Sequence, residues 1–541
     1  MTSIDWAVLI TYLLGIIGLG VWLAKRQQST DDYFLGGRKM GPTVIAVSLA
    51  ANQVSAISLI SAPAFVALKT GGGIKWLQFE FAVPIAMIAI MFLLVPVFRQ
   101  LSGASVYEYA ERRFGAGTRL TLSALFMFSR GLSTSVILYT SALVLSVVLG
   151  LPIYITMVIM AVVAIAYTTI GGIMADVYSD IIQLIILYGG VLVALIVSIN
   201  MLGGDLSSLS IDPERLNSID FSHHGFGDGQ TFAFWPMIIG CMFLYIGYYG
   251  CDQSQAQRLL AAPDNRQTQN ALMINGLIRF PIVLTYIIFG VVLALFIQNQ
   301  PDFAALLKGK NPDYLVPTFM ITYLPVGVVG LVMAGLFAAS MSSLDSAFNS
   351  LSAVTVTDFV LKFKPKIAQN PLKMLRLSKL ITLLWGIFTA GGAYFVAKSS
   401  STVIELVNMI GSAFAGPILA TFLGGILFRS ITGSGVVTGI IIGTVLNFFL
   451  GQCVPSISWL WWGPIGFCTT LSVSLIYSKI VTPSYIAASH ITGNWTLKGI
   501  LGKHPEKQSW LKDGRVYTLA IYTIFIIIIS IIVSRVLHSI L

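Results

Sequence analysis

The chain has 541 residues, 56% of them hydrophobic and 10% charged, with a formal charge of +10. Average soluble proteins are about 25% charged, so a mean hydropathy of +0.85 excludes a soluble globular enzyme. Continuous apolar runs such as Phe81–Phe98 lack the alternation of a membrane β-barrel, which leaves an all-α polytopic protein in a lipid bilayer.

Fourteen membrane spans are predicted. The first, 4–24, begins with Asp5 and no basic residue, unlike a signal peptide, and Lys25 and Arg26 follow it. Basic residues gather on the cytoplasmic side, so the N-terminus is expected outside and 25–41 inside. The second span, 42–68, is interrupted by the polar stretch Ala50-Ala51-Asn52-Gln53-Val54-Ser55-Ala56. The third, 76–98, carries Glu80; the fourth, 120–149, carries Arg130. The fifth and sixth cover 151–170 and 177–200, the latter with Asp180. An outside loop, 201–232, leads to the seventh, 233–259, where Tyr245-Ile246-Gly247-Tyr248-Tyr249-Gly250-Cys251-Asp252-Gln253 suggests a second interruption. Arg279 lies in the eighth, 270–297. The ninth, 323–358, is followed by 376–397, by 402–427 with Glu405, and by 433–452, 457–478 and 517–538.

On this topology 23 of the 32 Lys and Arg residues fall in or beside inside loops. The net charge is therefore a topology signal and implies no nucleic-acid partner. The four cysteines form no CxxC pair and read as ordinary buried thiols. No GxxxxGK[ST] or HExxH sequence is present, and no appended signalling domain, repeated pore loop or charged ring marks a sensor or channel. The expectation is neither an enzyme nor a protein with an organic cofactor.

A charge at a helix centre costs about 2.5–3.5 kcal/mol on insertion scales. Glu80, Arg130, Asp180, Asp252, Arg279, Asp345 and Glu405 each need a partner, a cavity or a helix end. In the ninth span Ala339, Ser342, Ser343 and Ser346 share one helical stripe, with Asp345 on its flank. Such a stripe is either a hard-cation site or a small-residue helix contact. Interrupted second and seventh spans, five apart, suggest two five-helix repeats of opposite orientation. The domain division is 1–41, the first repeat within 42–200, the loop 201–232, the second repeat within 233–428, and further helices in 429–541.

Several motifs carry a resemblance over nearly the whole chain: Asp32-Tyr33-Phe34-Leu35-Gly36-Gly37-Arg38, Tyr107-Glu108-Tyr109-Ala110-Glu111-Arg112-Arg113-Phe114, and Gly171-Gly172 before Asp180-Ile181-Ile182-Gln183. Asp252-Gln253 with Gln257-Arg258, and Ser342-Ser343-Leu344-Asp345-Ser346 with Asn349-Ser350, complete it. The sequence resembles the sodium/solute symporter family. The resemblance implies alternating access driven by a sodium gradient, with sodium as coupling ion. It implies a main sodium site made of the Ala51, Val54 and Ala339 carbonyls and the Ser342 and Ser343 hydroxyls. A second cation site would involve Asp180, Ser342, Asp345 and Ser346. By similarity to a sodium/galactose transporter, the substrate residues would be Glu80, Arg279 and Asn408, with Tyr248 as inner gate, while Val83 and Tyr245 replace polar sugar ligands. Gln53 and Ser58 flank the break as further candidates.

A small polar solute, a sugar or related polyol, is the main expectation. The alternatives are a sodium-coupled organic anion symporter, for sialic acid or a monocarboxylate, and a proton-coupled symporter using Asp180 and Asp345. If Glu80 neutralises Arg279 a neutral polyol is favoured; if Glu80 faces elsewhere an anion is favoured. The expected setting is a bacterial inner membrane, with the monomer as functional unit.

Overall fold

The computed structural model describes residues 1–24, 35–101, 106–167, 173–203, 211–364, 366, 371–481, 495–497, 499 and 510–541. Lys25, Arg26, Asp32, Tyr33, Phe34 and the Gly171-Gly172 pair lie outside the described residues. Regular structure among the described residues is helical.

In chain order the main helices are α1 (Ser3–Ala24), α2 (Pro42–Gln53), α3 (Ala56–Leu68), α4 (Ile74–Phe98), α5 (Tyr107–Phe114), α6 (Ala116–Leu149), α7 (Ile153–Tyr167) and α8 (Ile173–Met201). There follow α9 (Pro236–Cys251), α10 (Gln253–Leu260), α11 (Asn265–Asn299), α12 (Val328–Phe363), α13 (Pro371–Val396), α14 (Val403–Leu427), α15 (Gly433–Cys453), α16 (Trp459–Val481) and α17 (Gly514–Ile540). Among the described residues ten helices are long and apolar enough to cross a membrane, eleven when α2 and α3 are one bent span. The expected first, fifth and seventh spans fall on shorter apolar segments, Ser3–Ile16, Ile153–Ile165 and Pro236–Cys251.

The second span breaks where its sequence turns polar. α2 and α3 meet at 51°. Val54 (φ −90°, ψ 53°) and Ser55 (φ −80°, ψ −170°) leave the helical region between them. Asn and Ser compete with the helix for backbone bonds, and here the Ser58 hydroxyl donates to the Gln53 carbonyl at 3.2 Å.

The seventh span is interrupted at the far end of the expected stretch, at Asp252, and not at its glycines. α9 runs unbroken through Gly247 and Gly250, and the chain turns at Asp252 (φ −75°, ψ 131°). The Asp252 carboxylate accepts the Ser254 N–H at 2.8 Å and caps α10. The glycines serve packing instead of bending. A Cβ on Gly250 would lie 2.2 Å from Leu94 Cδ1, and one on Gly247 3.0 Å from the Ala415 Cβ.

The broken span is held by α11, which packs on both α2 and α3. α12 packs against α1, α6 and α8. Asp5 accepts the N–H groups of Gly327 (2.7 Å) and Gly330 (3.2 Å), so its charge sits at the N-terminus of α12. Cys241 and Cys251 are buried, but Cys453 and Cys468 are exposed. The expectation of buried thiols fails for that second pair because α15 and α16 are peripheral and turn apolar faces outward.

Close approach of α11 to α3 gives the first prediction. A Cβ on Gly290 would sit 2.7 Å from Val66 Cβ and 2.8 Å from Pro63 Cα, whereas one on Gly391 meets nothing within 4 Å. Gly290→Ala should lose about 1–3 kcal/mol by overpacking. Gly391→Ala should lose nothing, with both read as Tm of the purified protein in detergent.

Candidate functional site

A cavity of about 180 Å³ lies among α2, α3, α4, α6, α9, α11, α12 and α14. Its wall includes the break (Asn52, Gln53, Ser55), the small face of α12 (Ala339, Ser340, Ser343) and the polar face of α6 (Ser129, Arg130, Ser133). On the side that the predicted topology places outward, it is backed by packed aromatics. Trp76 stacks on Phe79 with ring centres 5.0 Å apart, and Phe65 meets Trp76 at 4.8 Å and Phe232 at 4.9 Å.

Glu80 and Arg279 both line this cavity, yet they bind each other. Arg279 Nε donates to Glu80 Oε2 at 2.7 Å and Nη2 to Oε1 at 2.8 Å, a bidentate fork. Nη1 donates to the Tyr249 hydroxyl at 2.9 Å and Nη2 to that of Tyr245, whose ring the guanidinium also covers at 4.4 Å. Both charged side chains are buried. The Asn408 amide, also at the wall, donates to the Ile404 carbonyl at 2.7 Å. Three of the residues expected to hold hydroxyls are thus engaged within the protein.

Tyr248 accepts the Gln255 amide at 2.8 Å. The Asn52 carboxamide lies between the Tyr248 hydroxyl (3.3 Å) and the Arg258 guanidinium (3.0 Å), with its oxygen facing the arginine. Gln53 reaches the cavity, and its buried Oε1 has no hydrogen-bond partner among the described residues.

Arg258 is buried beneath the break. It donates to Ser48 Oγ at 3.1 Å, to Asp176 Oδ2 at 2.6 Å, to Asp180 Oδ2 at 3.1 Å and to the Ser254 carbonyl at 3.0 Å. Ser48 in turn donates to Asp180 Oδ2 at 3.0 Å. The other oxygen of Asp176 accepts Ser342 at 3.0 Å and Ser346 at 3.4 Å. Of the stripe on α12, Ala339 and Ser343 therefore line the cavity while Ser342 and Ser346 bond to Asp176. Asp345 accepts the Asn349 amide one turn on.

Two functional candidates were not in the expected site. Asp176 falls just before the predicted sixth span, although its i, i+4 spacing from Asp180 puts both carboxylates on one helix face. Arg130 reads from sequence as a membrane charge without a role. It lines the cavity, and its buried Nε has no hydrogen-bond partner among the described residues.

Residues 33–443 match the model of the sodium:solute symporter family. The chain is 26% identical over 483 residues to the sodium/sialic acid symporter SiaT of Proteus mirabilis, covering 89% of this chain and 96% of that one. It is 28% identical over 547 residues to the sodium-coupled monocarboxylate transporter 1 of Xenopus laevis, covering 98% and 85%. A solved substrate-bound, outward-open sodium-coupled sialic acid symporter superposes with a TM-score of 0.74 at 25% identity, over 89% of this chain and 99% of that chain.

The Glu80–Arg279 fork predicts a non-additive stability cycle. Glu80→Met should cost about 3–5 kcal/mol, because a buried guanidinium loses its counter-charge. The double variant Glu80→Met with Arg279→Met should recover much of that loss in thermal unfolding. A double-variant loss equal to the sum of the two single losses would show the pair to be independent.

Proposed function

The chain belongs to the sodium:solute symporter family, and from that premise we propose that it carries a small carboxylate-bearing organic solute together with sodium. The observation that carries the substrate class is Arg130. Arg279 gives four of its five N–H donors to Glu80, Tyr245 and Tyr249, and Glu80 balances its charge. Arg130 reaches the same cavity with Nε unpartnered. A guanidinium recognises a carboxylate fork to fork, and one that lines the cavity with its Nε unpartnered among the described residues suits an anion there.

This corrects the sugar expectation. Glu80 does neutralise Arg279, which on the one-arginine criterion favours a polyol, but that criterion left Arg130 out. Similarity to sialic acid and monocarboxylate transporters supports the same choice.

For sodium, the freed Ala51 and Val54 carbonyls and the Ala339 carbonyl with Ser342 and Ser343 remain our main site. The break and the α12 face meeting at one cavity support it. The second cation site shifts from Asp180 and Asp345 to Asp176, with Ser342 and Ser346, because those two hydroxyls point at Asp176.

Charge makes that second site matter. A membrane potential supplies about 2.3 kcal/mol per charge per 100 mV. One sodium with a monoanion is electroneutral and gains nothing from voltage. Two sodium ions restore one net charge and the full drive. The cycle is alternating access between two inverted repeats, with the N-terminus outside. Sodium drives it only through its different affinities for the two states.

Thermal stability of the purified protein tests the reading, since a ligand of the folded state stabilises it by RT ln(1 + [L]/Kd). Sodium, but not potassium, should raise Tm, and sialic acid or a short monocarboxylate should raise it further where hexoses and inositol do not. Arg130→Gln should abolish the solute increment and keep the sodium one. A hexose response that survives Arg130→Gln would return the site to sugars. In reconstituted vesicles Ser343→Ala should raise the half-saturating sodium concentration roughly tenfold, the worth of one bond to a charged group. Asp176→Asn should reduce the charge moved per solute; unchanged current per uptake would remove the second site.

A further inference from the structure

The loop between α11 and α12 carries a buried acid that the transport site does not use. Asp313 is fully buried. Its Oδ2 accepts the Val403 N–H at 2.9 Å, at the first turn of α14. The Ser61 hydroxyl of α3 faces the same carboxylate and itself accepts the Ile404 N–H at 3.0 Å. Asp313 Oδ1 has no hydrogen-bond partner among the described residues. Beside it, Glu405 accepts both the N–H (2.8 Å) and the hydroxyl (2.7 Å) of Thr402, and takes an ion pair from Lys69 at 3.1 Å. Asn311 ties the loop to the Ser399 carbonyl at 3.2 Å.

These contacts join three segments: the far end of the broken span, the start of α14, and the loop 311–314. Ala62 of α3 and Ile404 of α14 line the cavity directly beneath them. Opening the cavity on this side requires α3 and α14 to part here.

We propose that Asp313 is a proton-operated latch on the outer gate, holding α3, α14 and the loop 311–314 together when its carboxyl group is protonated and loosening them when it is charged. The inference rests on the symporter reading, which gives that gate its purpose. Burial pushes the Asp313 carboxyl up to about 6, against the Ser61 and Val403 hydrogen bonds, which lower it. The facing groups are Glu405, which also raises it, Lys69, which lowers it, and the Tyr139 phenol of α6. A group whose acidity is weakened in the closed state binds its proton on closing. Closure is therefore strengthened as pH falls from about 6 towards the ordinary carboxylate value of 3.8, and that added strength is gone above about 6.

Hydrogen exchange at Val403 and Ile404, corrected for intrinsic rate, reads the latch in the full chain in lipid without calling on transport. Between about pH 4.5 and 7.5 the wild type should gain protection on acidification, by at most about tenfold per unit below pH 6. Asp313→Asn, neutral and of the same shape, should be flat and more protected than wild type near neutrality. Asp313→Ala, which loses the bonds, should be flat and unprotected. A pH-flat wild type, a wild-type profile in Asp313→Asn, or both variants moving the same way would each overturn the latch. The same proteins are then assayed for sodium-driven uptake. Protection that follows the latch while uptake ignores sodium leaves the latch standing and removes the symporter reading.

Discussion

The hydrogen-bonded cluster beneath the break depends on one buried cation. Arg258 sits where water does not reach it, and an isolated guanidinium there would be prohibitively unstable. It is held by carboxylates of α8, the Ser48 hydroxyl and Asn52 oxygen of α2, and the Ser254 carbonyl of α10. Asp176 passes the constraint on, because its second oxygen orients Ser342 and Ser346 of α12. The serines proposed for the ions are thus positioned by an arginine from another helix. Moving α10 relative to α8 would disturb the serines proposed for the ions, because all are joined in one hydrogen-bonded unit.

The two cavity arginines show how burial sorts charge by role. Arg279 makes four hydrogen bonds to Glu80, Tyr245 and Tyr249, and its charge is matched by Glu80. Its partners stand on α4 and α9, so the cluster pins those helices to α11. Arg130 has no such set of hydrogen bonds among the described residues. The same chemical group is a strut in one place and, in the proposed reading, a receptor in the other.

Sequence gave depth and helix face well and partners poorly. Polar Asn52 and Ser55 placed the break between α2 and α3, and Asp252 and Glu405 are the helix-end residues that their positions suggested. The failures share one cause. Which side chain meets which across two helices depends on crossing angle and register, and one chain read alone carries neither. So Asp180 was preferred to Asp176, although the two share a face, and Glu80 and Arg279 could be read as joined or apart. Gly250 misled for a related reason: a glycine that admits Leu94 looks, in sequence, like one that bends a helix. The Asp313 carboxylate left no mark because a loop acid is ordinary until the fold buries it.

The break itself argues for a cation and an anion travelling together. A helix ends in unsatisfied carbonyls and begins with unsatisfied N–H groups, so the two termini carry opposite partial charge. At residues 53–56 the C-terminus of α2 and the N-terminus of α3 stand side by side in the cavity wall. Ser55 makes no side-chain bond to cap α3, so those N–H groups remain available to an anionic ligand. In the proposed reading the α2 end takes sodium and the α3 end the carboxylate, with Arg130 on the α6 wall of the same cavity. α3 is 13 residues long, about 20 Å at 1.5 Å per residue; Ser61, its sixth residue, meets the start of α14, and Lys69, just past its end, pairs with Glu405. A ligand pair bound at the break, as proposed, would bear on both contacts through this one helix.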